Sequence, residues 1–301
     1  MEAKEMNLQE SIERVVAQQQ GTFGVYVKHL ITMESASVNG DRLFQTASVF
    51  KVPILATLMR DVVEGRSDLN QRVRLTSEDI VPGSGIFKEL EPGVEVTIKD
   101  LATMMIIVSD NLATDQVLSI VGKERVQEYM SELGLSKTFI RFNCWELLSL
   151  CVGLEPKPYS LAYYEKLNHL LNHDEMDQDS IVYQETSENN VSTPVEMGIL
   201  LEHIVTKKVI SEEASAKIFD IMTKQQLRNR IPRLLPKGTL VGCKSGTLGS
   251  VVNDCGIVQL PDKKGLFVIA VFSKDNPTIP QGEEVIAKLA LTAYDYFVTS
   301  S

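Results

Sequence analysis

Ser48 and Lys51 are the first side chains in this sequence whose types and spacing could do chemistry together. From Val49 onward, apolar residues recur at Val52, Leu55, Leu58, Met59 and Val62, the period of a helix with one buried stripe. Residues i and i+3 share a helical face, so the lysine amine is carried toward the serine hydroxyl. A serine is a poor nucleophile until a neighbouring base takes its proton. Lysine can be that base only if burial or nearby positive charge lowers its pKa. A helix N-terminus adds positive potential, which helps the lysine and favours a developing oxyanion. The pair alone says little, because Ser-x-x-Lys arises by chance roughly once in a chain of this size.

Two further clusters change the weight. Ser109-Asp110-Asn111 follows the apolar run LATMMIIV and opens another helical stripe. Lys244-Ser245-Gly246 lies in a late β-rich stretch. Each has a plain structural reading: the first suits a helix cap, the second an edge-strand turn. Ser109 stands 61 positions after Ser48, and Lys244 stands 135 after Ser109. Chance supplies all three clusters in only about 1% of chains, so they are read together.

The elements that must position these residues follow from hydrophobic period. Residues 7–20 read as a helix stopped by Gly21, and 22–30 as a strand. Asn39-Gly40-Asp41 predicts a hairpin whose returning strand ends near Thr46. Helices are expected at 97–108, 111–121, 123–133, 160–172, 194–206 and 211–227, with Pro194 in a first turn. Strands return as TLVGCKSG, VVNDCGIVQL and GLFVIAVFS, and a last helix covers 282–297. The polar segment 174–190 reads as a surface loop. The predicted class is α/β (α+β by some conventions): an antiparallel sheet layer with flanking terminal helices, plus an all-helical domain. Residues 1–47 and 230–301 would form the α/β part, residues 48–229 the helical part carrying the nucleophile, and the site would lie between them.

With the clusters and their contexts in view, the sequence resembles the class A β-lactamase and penicillin-binding protein family. The segments DLATMMIIVSDNLATD, STPVEMGILLEHI and RNRIPRLLPKGTLVGCKSG extend the likeness over most of the chain except about 142–190. The resemblance implies a β-lactamase/transpeptidase-like fold. It implies that Ser48 attacks a carbonyl, Lys51 takes its proton, and Ser109 relays a proton to the leaving nitrogen beside Lys244. Lys244 and Ser245 of the Lys244-Ser245-Gly246 strand would hold a substrate carboxylate, and Asn111 a side-chain amide. The N–H groups of Ser48 and Thr247 would form an oxyanion hole, and Asp110 would be structural.

The family's deacylating step uses a loop glutamate. Arg141, Trp145 and Glu146 keep that loop's relative spacing, so Glu146 is the candidate base. Its surroundings depart from the family pattern. Leu150 stands where an asparagine would hold the water, and Cys144 and Asn190 replace a charged pair. Asp115 replaces an asparagine, and the loop is longer by about 30 residues, with Glu155 as a second carboxylate. The expected activity is hydrolysis of β-lactams through an acyl-enzyme. The alternatives are a related esterase or peptidase, and a β-lactam-binding sensor or trap with defective deacylation.

Composition bounds the partners. A net charge of −10 in 301 residues argues against nucleic acid and leaves a small anion drawn to a local cationic cleft. Arg228, Arg230, Arg233 and Lys237 form a basic cluster that reads first as a solvated face. No run of about 18 apolar residues marks a membrane span. The start MEAKEMNLQE has no signal-peptide pattern, which predicts a cytoplasmic monomer, or a periplasmic or secreted one if the chain is processed. Four cysteines make no disulfide framework; a turn near Gly249 would set Cys243 opposite Cys255, but buried thiols are the plainer reading. No cofactor is expected. His169 and His173 lack an HExxH context, GTLVGCKS has Cys243 where a phosphate loop needs glycine, and no Gly-x-Ser-x-Gly elbow occurs.

Overall fold

The computed structural model describes residues 6–206 and 211–299; the first five residues of the N-terminal stretch read for a leader lie outside them. Helix α1 (Leu8–Ala17) opens on a capping box: the Asn7 side chain accepts from the Glu10 N–H, and Glu10 answers to the Asn7 N–H. Strands β1 (Thr22–His29) and β2 (Ser35–Val38) follow, then β3 (Phe44–Gln45) and α2 (Lys51–Val63). The short pair β4 (Arg72–Arg74) and β5 (Glu95–Thr97) precedes α3 (Ile98–Ile107), α4 (Asn111–Val121) and α5 (Lys123–Glu132). Next come α6 (Cys144–Cys151), α7 (Leu161–Asn172), β6 (Val191–Ser192), α8 (Pro194–Thr206) and α9 (Glu212–Thr223). Strands β7 (Val241–Leu248), β8 (Val251–Gln259) and β9 (Leu266–Lys274) and the helix α10 (Ile279–Thr299) close the chain.

The main sheet is antiparallel, in the order β2-β1-β9-β8-β7, so both chain ends build it and β7 is an edge. Side chains of successive strand residues point to opposite faces, and here both faces are covered. One face packs Val25, Val27, Ile269 and Val271 on α1 and α10 through Leu8, Ile12, Ile286 and Leu289. The other packs Ile257, Val268, Ala270 and Phe272 against the helical core, with Leu200 and Leu201 of α8 and Ile54 and Leu58 of α2. Among the described residues no helix is long and apolar enough to cross a membrane.

Three expectations need correction. The first hairpin turns at residues 30–34, with Met33 in the left-handed region, not at Asn39-Gly40. Asn39 donates instead to the Phe23 carbonyl at 2.8 Å, closing the end of β2 and sending the chain to β3, which pairs with β6 outside the main sheet. Cys243 and Cys255 are one position out of register, since Cys243 pairs with Gly256 and Cys255 with Lys244. They therefore face opposite sides of the sheet, and all four cysteines are free and buried. Segment 174–190 is also no plain surface loop. Val182 joins a third apolar cluster with Leu147, Cys151, Leu167, Leu248 and Val251, and Asn189 and Asn190 are buried.

Candidate active site

Ser48 sits in a tight 3-10 turn, Ala47–Phe50, that runs into α2 at Lys51. Ala47 just before it is held at φ +43°, a costly conformation for a residue with a Cβ. Two contacts keep it there. The Gln45 side-chain oxygen accepts from the Ala47 N–H, and Asn253 of β8 donates to the Gln45 carbonyl at 2.8 Å. Ser48 is thereby presented, half-buried, on the wall of a cavity of about 310 Å³.

Beneath Ser48, the Lys51 side chain is wholly buried. Its Nζ donates to the Ser109 carbonyl at 2.7 Å, the Ser109 Oγ at 3.1 Å and the Asn111 Oδ1 at 2.9 Å. Burial pushes its pKa down, opposed by Cys144, Asp110 and Asp115. Lys244 comes from β7, also wholly buried, and reaches the same Ser109 Oγ at 3.0 Å. Its pKa is pushed well down, first by burial and then by the charge of Lys51. One hydroxyl thus bridges two buried amines whose parent residues lie far apart in sequence.

Ser109 can hold that place because its backbone is left-handed, at φ +58°. Asp110 fixes the bend. One of its oxygens caps α4 at the Ala113 N–H (2.9 Å), and the other accepts from the N–H groups of Ile86 (2.6 Å) and Phe87 (2.9 Å). Gly85 is required beside it: its φ is +117°, and a Cβ there would lie 2.4 Å from the Asp110 carboxyl carbon. The loop so tethered forms a wall with Gly83 and Ser84. Asn111 is buried in the same network, accepting from Lys51 and Ser84 and donating Nδ2 to the Pro82 carbonyl at 2.9 Å.

The opposite wall is β7, with Ser245, Gly246, Thr247 and Leu248. A Cβ on Gly246 would lie 2.8 Å from both the Ser48 nitrogen and the Thr46 carbonyl oxygen. Only glycine lets the strand approach the nucleophile turn this closely. Arg230, expected on a solvated face, is instead 4% exposed and belongs to the site. Its guanidinium donates to the Gly246 carbonyl (2.7 Å), the Asn253 carbonyl (2.6 Å) and the Thr247 hydroxyl, and pairs with Glu283 of α10 at 3.3 Å. The sequence offered no signal to separate Arg230 from its basic neighbours.

Glu146 is not brought to the cavity. It is the third residue of α6, and its carboxylate turns back to the Asn143 N–H (2.8 Å) and to Lys123 (2.9 Å). A capping box and an ion pair therefore consume it. Glu155 does not line the cavity either. What α6 does present there is Cys144, Leu147 and Leu148. The helix is hung from α4 by Asp115, whose two oxygens accept from the Cys144 N–H (2.6 Å) and the Trp145 N–H (2.9 Å). Desolvation beneath α6 pushes the Asp115 carboxyl up to about 6 against those hydrogen bonds.

A family model described as "Beta-lactamase enzyme family" matches residues 7–297. The chain belongs to the beta-lactamase enzyme family. This beta-lactamase homologue is 27% identical to the extended-spectrum beta-lactamase PER-1 of Pseudomonas aeruginosa over 96% of the chain and 87% of that protein. It is 23% identical to beta-lactamase VEB-1 of the same organism, over 97% of the chain and 91% of the relative. A solved beta-lactamase from Sphaerobacter thermophilus superposes with a TM-score of 0.78 at 27% identity, covering 96% of each chain. PBP-A superposes at 0.77 and 27% identity, covering 97% of this chain and 96% of its own. A leucine-to-glutamate variant of PBP-A was solved as an acyl-enzyme complex with penicillin G. The fold of this beta-lactamase homologue is therefore the β-lactamase/transpeptidase-like one.

Proposed function

We propose that this chain is a serine β-lactamase that opens the lactam ring by acylating Ser48. The observation that carries the reading is the Ser109 hydroxyl held between the Lys51 and Lys244 amines at the floor of the cavity that Ser48 lines. An acyl transfer needs a nucleophile, a base, a proton relay and oxyanion donors around one carbonyl. Lys51, whose hold on its proton burial weakens, takes the Ser48 proton when it is in its neutral form. The proton passes to the Ser109 hydroxyl, and from there to the lactam nitrogen as the C–N bond breaks. Lys244 holds the Ser109 oxygen from the other side by its hydrogen bond.

The N–H groups of Ser48 and Thr247 hold the oxyanion, a role supported by how closely β7 passes the nucleophile turn, where a Cβ added at Gly246 would lie 2.8 Å from the Ser48 nitrogen. Lys244, Ser245 and Arg230 draw the substrate carboxylate to the β7 side of the cavity. Asn111 keeps one amide hydrogen for the substrate's side-chain carbonyl, its other being given to Pro82. The substrate is a small anion.

The test is mass measurement of the intact protein mixed with penicillin. Wild-type protein gains one penicillin mass, and Ser48→Ala gains none while keeping its circular dichroism spectrum. An adduct on the alanine variant removes Ser48 from the reaction.

A further inference from the structure

We propose that Asn253 of β8 is a positioning residue for acylation, its side-chain amide fixing the gap between the nucleophile turn and β7. The inference rests on the acylation at Ser48 argued above and names the residue that sets its geometry.

Asn253 is wholly buried and stands directly across the ladder from Gly246 of β7. Side chains of such a pair lie on the same face of a sheet. Gly246 has none, which leaves that face to the nucleophile turn, and the Asn253 amide meets the turn there. Its Nδ2 donates to the Gln45 carbonyl at 2.8 Å, two residues before the left-handed Ala47. Its Oδ1 is held from the other side. The register between β8 and β9 stops at the pair Asp254–Val271, and beyond it the Ser273 N–H donates to the Asn253 Oδ1 at 2.9 Å. The Ser273 hydroxyl accepts from Asn276 at 2.9 Å and donates to the Val252 carbonyl, closing the rest of that opening. The Asn253 carbonyl accepts from Arg230 Nη1 at 2.6 Å, and the same Nη1 donates to the Gly246 carbonyl at 2.7 Å. One residue therefore meets β7, β9, the nucleophile turn and the arginine assigned to the substrate carboxylate.

The two oxyanion donors, the N–H groups of Ser48 and Thr247, belong to different elements, so their separation is that of turn and strand. Both must stand at hydrogen-bond distance from one developing charge. Gly246 has no side chain to set that separation; the Asn253 amide links the sheet to the turn directly. An amide suits the place because it accepts at one atom and donates at the other. An ionised carboxylate only accepts, and would set its lone pairs against the Gln45 carbonyl.

The experiment mixes a carboxylate-bearing chromogenic cephalosporin with protein in excess and follows ring opening by stopped flow over a range of protein concentrations. It compares wild type, Asn253→Asp, Asn253→Ser and Ser273→Ala. Single turnovers of this kind report ring opening whatever the speed of acyl release. The saturating rate should fall about 10²-fold in both Asn253 variants, the usual cost of misplacing reacting groups by about 1 Å. The half-saturating concentration should be little changed, because the backbone carbonyl at 253 still holds Arg230. Asn253→Ser adds no charge, so it keeps the test open if Asn253→Asp does not fold. Ser273→Ala removes the neighbouring hydroxyl but keeps the N–H that faces Asn253. It should lower the urea midpoint and leave the saturating rate unchanged. An unchanged saturating rate in folded Asn253 variants overturns the inference. A rise in the half-saturating concentration alone also overturns it, since Asn253 would then serve anion binding. Equal loss of rate in Ser273→Ala overturns it as well, because general loosening of the sheet would be the cause. If wild type opens no ring, the acylation reading has failed and this inference falls with it.

Discussion

Two lysines sharing one serine hydroxyl cannot both be charged without cost. At 3.1 and 3.0 Å from the Ser109 Oγ, Lys51 and Lys244 are both wholly buried; burial lowers the pKa of each, and the charge of Lys51 lowers that of Lys244 further. Lys51 acts as a base only when neutral, so the neutral fraction, and with it the rate of adduct formation, rises with pH. It levels off above the pKa of Lys51, which burial places below the ordinary lysine value of about 10.4. Quench-flow mass measurement of adduct formation across pH checks this; a rate falling over the neutral range would contradict it. Lys51→Arg should slow acylation by about 10³-fold, because a guanidinium does not deprotonate. At this scale much of the site was legible. Ser48, Lys51, Ser109, Asn111, Lys244, Ser245, Gly246 and Thr247 all meet at the cavity floor or walls. Glu146 was misplaced because type and spacing do not say which way a carboxylate turns at a helix start. An N3 glutamate beside an Asn cap and Lys123 has two partners close at hand.

At the scale of elements, strands and helices were readable wherever a period ran unbroken: α4 and α8 have the expected bounds. Turns failed where a favourable dipeptide had another use, as Asn39-Gly40 does in closing β2. Helix α6 was missed as a helix because its stretch was read for its motif spacing, and its attachment to α4 is tertiary. That attachment carries a pH prediction. The Asp115 carboxyl, raised to about 6 in the fold against about 3.9 unfolded, binds its proton more tightly when folded. Its contribution is fully present below pH 4 and is lost as pH rises through 6, on the order of 3 kcal/mol. Relative to Asp115→Asn, wild-type stability in urea should fall between pH 4 and pH 6.5; a constant difference would show that Asp115 does not titrate there. Strand β7 carries a second prediction. The Cβ of Gly246→Ala meets backbone atoms of Thr46 and Ser48, which cannot swing aside as a flexible side chain would. The nucleophile turn must shift, and acylation should fall about 10²-fold with the sheet intact, read by mass and circular dichroism.

The whole molecule places its chemistry at a seam. The sheet, made from both ends of the chain, offers β7 as an open edge, and the helical part brings Ser48, Lys51 and Ser109 to that edge. A chain of net charge −10 gathers the basic side chains of Lys51, Lys244 and Arg230 there, as the proposed capture of a small anion requires. Arg230 ties the seam to the C-terminal helix: it holds β7 and β8 by their carbonyls and meets Glu283 of α10. Both members of the pair are largely buried, so removing either leaves a charge without its partner, a loss of about 3–5 kcal/mol. Stability and chemistry should then come apart. Arg230→Ala and Glu283→Gln should each destabilise the protein by roughly that amount in urea. The double variant should be less destabilised than the two single effects added, as partners in one pair require. Adduct formation should separate the two residues. It should be slowed in both proteins lacking Arg230, most for substrates bearing a carboxylate, and recover nothing in the double variant, because only the arginine reaches the anion. If adduct formation returned with stability in the double variant, Arg230 would be a strut for α10 and not part of the anion site.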